Sequence, residues 1–119
     1  MTRDEVIAQC TAWPGAVEDY PFGDDTAVFK VAGKIFALVS LGARAGSVSL
    51  KCDPDLAVEL RRRYPAVNAG YHLNKRHWNT IRLDGCVPGE ELAELIGHSY
   101  ELVVAGLTRA EKDKLRAST

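Results

Sequence analysis

Side chains that could bind a ligand are concentrated in one stretch of the sequence, GYHLNKRHWNTIRLDG, which runs from Gly70 to Gly85. It combines cations that can neutralise phosphates, amides that can hydrogen-bond base edges or sugar-phosphate oxygens, and rings that can stack on bases. The cations are Lys75, Arg76 and Arg82, the amides are Asn74 and Asn79, and the rings are Tyr71, His72, His77 and Trp78. This mixture is typical of a nucleic-acid contact surface.

The same residues also have a purely structural interpretation. Tyr71 and Trp78 could be core or edge aromatics, the two histidines could hydrogen-bond backbone carbonyls, and the asparagine side chains could cap turns. Residue chemistry alone leaves both interpretations open.

The charge of the chain is distributed unevenly around this stretch. Six of the 15 Lys and Arg residues and none of the 16 Asp and Glu residues fall within residues 61–82, so this window carries +6 and the rest of the chain −7. The window begins with Arg61, Arg62 and Arg63, which also suit the negative end of a helix dipole. A local basic zone is what an anion or nucleic-acid surface requires, and we therefore add the three arginines to the candidate contact surface.

Metal and nucleophile chemistry find little support in the spacing of the reactive residues. His72 and His77 are five residues apart, and adding Cys86 or Asp84 reproduces no standard metal motif. Cys86 and His77 could meet in space, yet no nucleophile elbow or oxyanion glycine loop accompanies them. We expect no metal, no cofactor and no enzymatic activity. An enzyme with His72 or His77 as a base would need a perturbed histidine in a cleft.

The bulk composition indicates one ordinary globular domain spanning residues 1–119. The 119 residues are 46% hydrophobic and 26% charged, which is enough to bury a core without metal or disulfide. The longest apolar runs fall short of the roughly 20 residues that span a bilayer, and no secretory signal is evident at the N-terminus. Cys10, Cys52 and Cys86 are odd in number and scattered, as expected for thiols in a reducing compartment. We therefore expect a cytoplasmic protein without membrane contact, monomeric by default.

The N-terminal half predicts a helix followed by an antiparallel meander. Thr2 and Glu5 have the spacing of a capping box, and the helix that they open should end before Pro14. Residues 16–25 are predicted to form an irregular loop with its aromatics turned inward. Residues 27–31 and 34–41 flank an Ala-Gly corner and predict a hairpin, and residues 47–52 alternate as a third strand.

The C-terminal half predicts three helices and one further strand. Asp53-Pro54 opens a helix that should end before Pro65, and residues 78–83 predict a strand that follows the loop of the basic stretch. Residues 66–75 have no clear period. The longest helix begins near Pro88 and continues to about Leu107, with apolar residues at steps of three and four. Thr108 to Glu111 repeats the capping-box pattern and opens a short terminal helix with a frayed end.

Five segments of the sequence, in order, carry a family resemblance that covers almost the whole chain. They are YPFGDD (20–25), VFKVAGKIFAL (28–38), SLKCDP (49–54), PAVNAGYHLNKRHWNTIRLDG (65–85) and SYELVVAGL (99–107). Together they resemble the MmcQ/YjbR family of small bacterial proteins, and GYHLNKRHWNTI is the most specific block. One departure is Asn68-Ala69-Gly70, where members often have a Pro-Gly pair, and it affects only the local turn.

The resemblance implies an α+β fold of two layers, an antiparallel β-sheet covered by helices, similar to the frataxin/CyaY-like architecture. It also implies a DNA-binding role, and the matching motif positions are Tyr71, His72, Asn74, Lys75, Arg76, His77, Trp78 and Asn79. No catalytic residue is carried over. Iron surfaces in frataxin-like proteins resemble an acidic ridge along the first helix. The predicted first helix here has only Asp4 and Glu5, so the ridge is missing and fold analogy does not indicate an iron role.

Two hypotheses remain. The first is a non-enzymatic DNA-binding or regulatory domain that contacts nucleic acid through residues 61–82. In it Lys75, Arg76 and one or more of the arginines of residues 61–63 position phosphates, and Asn74, His77 and Trp78 contact sugars or bases. The alternative is a small-molecule or protein-interaction module in which the same loop forms a pocket wall; inward-facing Tyr71, His72 and Trp78 would favour it.

Overall fold

A computed structural model describes residues 1–42, 46–70 and 73–117 of the chain. The four helices are α1 (Arg3–Ala12), α2 (Pro54–Arg63), α3 (Gly89–Ala105) and α4 (Arg109–Ala117). The six strands are β1 (Val17–Asp19), β2 (Thr26–Val31), β3 (Lys34–Ser40), β4 (Ser47–Lys51), β5 (Val67–Ala69) and β6 (Trp78–Arg82).

The strands form one antiparallel sheet in the order β1-β2-β3-β4-β6-β5. Helix α3 lies across β2, β3 and β4, while α2 packs on β5 and β6 and α1 contacts β3 and α3. This arrangement confirms the predicted α+β class with an antiparallel sheet and covering helices.

The predicted hairpin is present, and its corner has the backbone that a tight turn requires. Ala32 (φ 50°) and Gly33 (φ 78°) both adopt positive φ, as in the type I′ turns that suit the twist of a hairpin. A register shift follows in β3, where Lys30 faces Ile35 but Phe29 faces Ala37, so Phe36 is the extra residue of a β-bulge. The bulge directs both Phe36 and Ala37 toward the helices, and both are fully buried.

The two faces of the sheet differ in what covers them. The helix-covered face carries buried side chains from five strands: Ala27, Phe29, Val31, Phe36, Ala37, Val39, Val48, Leu50, Val67, Asn79 and Ile81. The alternate residues of the same strands form the open face and are mostly half-buried or exposed, with Leu38, Ser49 and Thr80 side by side across β3, β4 and β6. The open face is therefore the part of the sheet that can receive a ligand.

The helix boundaries follow the predicted caps. At the start of α1, Glu5 N donates to Thr2 Oγ1 (3.2 Å) and Thr2 N donates to Glu5 Oε1 (2.9 Å), which completes the capping box. At the start of α2, Asp53 Oδ2 accepts from the backbone N–H groups of Asp55 and Leu56 at 3.1 and 3.2 Å.

Helix α3 is joined to the sheet by polar contacts inside the core as well as by apolar packing. Ser99 is fully buried; its hydroxyl donates to Phe36 O at the bulge (2.6 Å) and accepts from Lys51 N (2.8 Å). The Tyr100 hydroxyl donates to Pro14 O, and its ring stacks on Trp13 with centroids 4.7 Å apart. These contacts fix the long helix relative to β3, β4 and the end of α1.

Two predictions for the connecting segments are wrong. The segment 16–25 contains strand β1, and its aromatics point outward: Tyr20 is 43% exposed and Phe22 67%. Residues 67–69, which show no period in the sequence, form β5. Both strands have three residues, too few for alternation to be recognised, and pairing with β2 or β6 supplies the missing stabilisation.

Candidate nucleic-acid interface

Arg61 joins the two parts of the basic window. Its guanidinium Nη1 donates to Lys75 O (2.8 Å) and to Asn79 Oδ1 (3.2 Å), so the last turn of α2 is hydrogen-bonded to the loop before β6 and to β6 itself. The end of α2 and the loop before β6, which carry cations more than ten residues apart in the sequence, are therefore held next to each other. Arg61 itself is half-buried.

Asn79 completes the same connection from the covered face of the sheet. Its side chain is 2% exposed, and its amide donates to Ala57 O (3.2 Å) while its carbonyl accepts from Arg61. Both polar ends are satisfied by neighbours, as buried amides require. A base edge cannot reach this side chain, so the role of Asn79 is structural, and we leave it out of the contact surface proposed below.

Asn74 organises the turn that leads into β6. Its Oδ1 accepts from the backbone N–H groups of Arg76 (3.0 Å) and His77 (3.3 Å), and its backbone oxygen accepts from Trp78 N (2.9 Å). This is the turn-capping use of asparagine that the structural interpretation expects. The Asn74 side chain thereby fixes the backbone that carries Lys75 and Arg76.

Gly70 stands where the loop comes closest to β6. Its N–H donates to Trp78 O (2.9 Å), and a Cβ at Gly70 would lie 2.8 Å from Trp78 Cβ and 3.1 Å from Leu73 Cβ. Such distances leave no room for any other side chain. The departure Asn68-Ala69-Gly70 therefore keeps the residue that the turn needs.

The remaining cations of the window differ in their partners. Within the part of the chain that the structure describes, Arg63 pairs with Glu59 (3.6 Å) and Arg82 with Asp84 (3.5 Å), whereas Arg62, Lys75 and Arg76 have no acidic partner. These last three residues are exposed, and Lys75 Nζ lies 3.5 Å from Gly70 O. We call Arg62, Arg63, Lys75 and Arg76 the basic surface.

Two members of the predicted set lie on the open face of the sheet and are not part of this surface. Trp78 and Arg82 alternate with the buried residues of β6 and face Lys51 and Ser47 of β4, respectively. Trp78 is half-buried and Arg82 exposed. His77 is also half-buried, and its backbone oxygen accepts from Cys52 N (2.7 Å), which anchors the entrance to β6.

Tyr71 and His72 lie outside the described residues. The structure therefore places ten of the twelve predicted site residues. Of these, Arg61, Asn74 and Asn79 hold the backbone, Arg62, Arg63, Lys75 and Arg76 form the basic surface, Trp78 and Arg82 belong to the open face, and His77 is half-buried at the entrance to β6.

A groove of about 680 Å³ occupies the open face. Its floor contains Ser49 and Thr80, whose hydroxyl oxygens are 2.8 Å apart, and its two ends are formed by Phe22 from the loop after β1 and Leu73 from the loop before β6. The other lining residues are Thr26, Ile35, Leu38, Ser40 and Ser47. None of the nine side chains is ionisable, and the volume lies within the roughly 300–1,000 Å³ of ligand sites.

Sequence reasoning missed most of this groove. The alternation of Ser47, Ser49 and Lys51 indicates a strand with one wet face, but which strands share that face depends on sheet order. Phe22 was predicted to turn inward, so its position at the groove could not be anticipated. The available signal was the hydroxyl residues at alternate positions of β4 and β6.

Two groups near this region have raised pKa values. The Tyr64 hydroxyl donates to Glu91 Oε1 (2.8 Å), and this hydrogen bond raises the pKa of Tyr64. Glu91 is therefore an acidic residue near the basic surface, because Tyr64 follows Arg63. Burial raises the pKa of Cys52, which lies under β6, to about 11. Among the described residues no three His, Cys, Asp or Glu side chains are grouped as metal ligands require.

These features define a small α+β domain whose antiparallel sheet has one helix-covered face and one open, grooved face. A family model described as YjbR matches residues 11–102, and the chain belongs to the YjbR family. This confirms the resemblance found in the sequence.

Similar proteins include two from Escherichia coli. The chain is 37% identical over 115 residues to "Uncharacterized protein YjbR" of strain K12, with 97% of each chain covered. It is 38% identical over 102 residues to "Uncharacterized protein YbdF" of O157:H7, covering 82% of this chain and 80% of the relative.

Solved structures show the same fold. The crystal structure of Deinococcus radiodurans protein DR2400 superposes with a TM-score of 0.90 at 42% identity, covering 96% of this chain and 87% of that one. A Pseudomonas syringae protein superposes with a TM-score of 0.75 at 28% identity, covering 86% and 98%. Among the described residues, no helix combines the length and apolar character needed to cross a bilayer.

Proposed function

We propose that the protein is a non-enzymatic DNA-binding domain and that the basic surface contacts the phosphates. The observation that carries this proposal is the double hydrogen bond of Arg61, which holds the cations of α2 and those of the loop before β6 on one body. Cations on a fixed backbone lose less conformational freedom when they bind than cations on separate mobile segments.

The distribution of charge supports the same proposal. Glu59 is the only acid in an ion pair with the four cations among the described residues, so the basic surface keeps an excess of positive charge in a chain whose net charge is −1. Such a patch attracts a polyanion and would bind it with a strong dependence on salt.

The roles of the other predicted residues follow from their contacts. Arg61, Asn74 and Asn79 act as positioning residues, because their polar groups are hydrogen-bonded to the backbone or to each other. Arg62, Lys75 and Arg76 are exposed and carry the phosphate contacts, with Arg63 in support.

The test is the affinity for DNA as a function of salt. We expect Lys75→Ala/Arg76→Ala to weaken binding to all sequences and to reduce the slope of log K against log salt by roughly one to two units, because about 0.9 counterions are released per phosphate contact. Fluorescence anisotropy with mixed-sequence duplex and single-stranded DNA would measure both quantities.

A matched control removes two cations elsewhere. Arg109→Ala/Lys114→Ala changes the net charge equally, but these exposed residues lie on α4, which is not part of the basic surface. The control should retain the native slope. If the native protein binds neither form of DNA at low salt, or if both double variants lose affinity equally, the proposal is wrong.

A further inference from the structure

The groove on the open face and the basic surface share one loop. Leu73 closes one end of the groove, and Lys75 and Arg76 of the basic surface follow it two and three residues later. A ligand with an uncharged part for the groove and a charged part for these cations would contact both.

The chemistry of the groove suits an uncharged planar group with polar edges. Five of its nine lining residues carry hydroxyls and four are apolar, so the walls can contact the faces of a ring while the floor hydrogen-bonds its edge. Serine and threonine hydroxyls both donate and accept, which makes them compatible with the edge of any base. A nucleobase has this combination of a flat face and a polar edge.

The charged residues around the groove favour one orientation of a bound strand. The exposed cations Lys75 and Arg76 follow Leu73 at one end of the groove, whereas Arg82, which faces Ser47 across β4 and β6, is paired with Asp84 (3.5 Å). At the opposite end the exposed residues Asp24 and Asp25 follow Phe22. A phosphate chain is therefore favoured at the Leu73 end and disfavoured near Phe22, while a base can extend from that chain across the floor.

We propose that the groove accepts an unstacked base and that the domain accordingly binds single-stranded DNA in preference to duplex. This inference rests on the function proposed above and specifies its substrate. The bases of a duplex are stacked and paired, so their faces cannot contact Phe22, whereas a single strand exposes them. The Phe22 ring is 67% exposed at the end of the groove and is the aromatic wall for such a base.

The first experiment compares three ligands of matched length by fluorescence anisotropy: a 12-nucleotide mixed-sequence single strand, the corresponding 12-base-pair duplex, and an abasic 12-mer that keeps the single-strand phosphates without bases. We expect the single strand to bind most tightly. The abasic strand should bind at least about fivefold more weakly, because base-aromatic stacking is lost.

The second experiment uses two exposed apolar residues as a matched pair. Phe22→Ala should reduce the affinity for the single strand by at least about fivefold and leave the affinities for duplex and abasic strand unchanged. Val17→Ala, at a residue of β1 that is 59% exposed and outside the groove, should leave all three affinities unchanged. Thermal unfolding of both variants confirms that the fold is retained.

The outcomes separate this inference from the proposed function. If none of the three ligands binds, both are wrong. If duplex binds as tightly as the single strand, if the abasic strand equals the normal one, or if Phe22→Ala keeps native single-strand affinity, the groove does not hold a base. The phosphate contacts proposed for the basic surface are then tested separately, by the salt dependence of DNA binding in Lys75→Ala/Arg76→Ala.

Discussion

The two faces of the sheet are formed by the same strands but differ in how far their side chains are buried. On the covered face, Phe36 is fully buried and meets Tyr100 edge-on with centroids 5.3 Å apart, and the polar residues there have partners in the core. On the open face, the hydroxyls of Ser49 and Thr80 contact each other at the floor of a groove that stays accessible. The fully buried packing is thus concentrated on one side of the sheet, and the accessible groove lies on the other. Identical substitutions on the two faces should therefore have unequal effects.

The largest contrast is expected for two phenylalanines. Phe36→Ala should reduce the free energy of unfolding by about 3–5 kcal/mol, because it leaves a cavity beneath α3. Phe22→Ala should change it by less than about 0.5 kcal/mol, because that ring is mostly exposed. Chemical denaturation of both variants measures the difference. Equal losses would show that the two faces do not divide stability in this way.

A smaller contrast is expected for two asparagines. Asn79→Ala removes the donor to Ala57 O and an acceptor of the Arg61 guanidinium, and leaving buried polar groups unpaired should cost about 1–3 kcal/mol. Asn68→Ala, at an exposed residue of β5 beside Thr80, should cost no more than about 0.5 kcal/mol. Urea denaturation compares them. A tolerated Asn79→Ala would contradict the role of this amide as a connection between α2 and β6.

The ionisation of the thiols should have no effect on stability at neutral pH and should contribute only as a dependence on alkaline pH. Burial raises the pKa of Cys10 to about 12 and that of Cys52 to about 11, from an ordinary value of 9.0. Because the folded state holds these protons more tightly, their contribution to stability is complete below about pH 9 and is lost as the pH rises toward 11–12. Denaturation midpoints should fall over this range, and Cys10→Ala should lessen the fall.

Alkylation provides a second measurement of the same burial. In the native protein, iodoacetamide should modify the exposed Cys86 first and should reach Cys10 and Cys52 only after unfolding. Cys86→Ser is the control that removes the fast reaction. Rapid native labelling of Cys10 would contradict its placement in the core.

The sequence predicted the long elements well because their signals are local. Thr2 and Glu5 satisfy each other within one turn, and Asp53 caps α2 through neighbouring amides, so spacing alone predicts both. The three-residue strands β1 and β5 were not predicted because their stability comes from pairing with distant residues. Phe22 was misplaced for the same reason: an aromatic in a polar loop is expected to be buried unless the sheet beside it is known to have an open face.

The sequence groups the candidate cations in one window but does not show how their contacts differ. The basic window contains all four cations of the basic surface, yet the sequence could not tell that Arg61 and Asn79 are hydrogen-bonded to each other whereas Lys75 and Arg76 are exposed. That distinction depends on α2 packing against β6 and is a tertiary property. The groove likewise required the order of the strands, because Ser49 and Thr80 are neighbours only after β4 pairs with β6.

The shortness of β1 and β5 also bears on how copies of the domain behave at high concentration. These strands form the two edges of the sheet, where unpaired backbone groups could recruit another chain. Each edge offers only three residues; one carries the carboxylates of Glu18 and Asp19, and the other lies between Pro65 and Gly70. An incoming strand would gain few hydrogen bonds at either edge and would meet negative charge at one of them. The sheet therefore leaves a broad face accessible while offering little template for edge-to-edge aggregation.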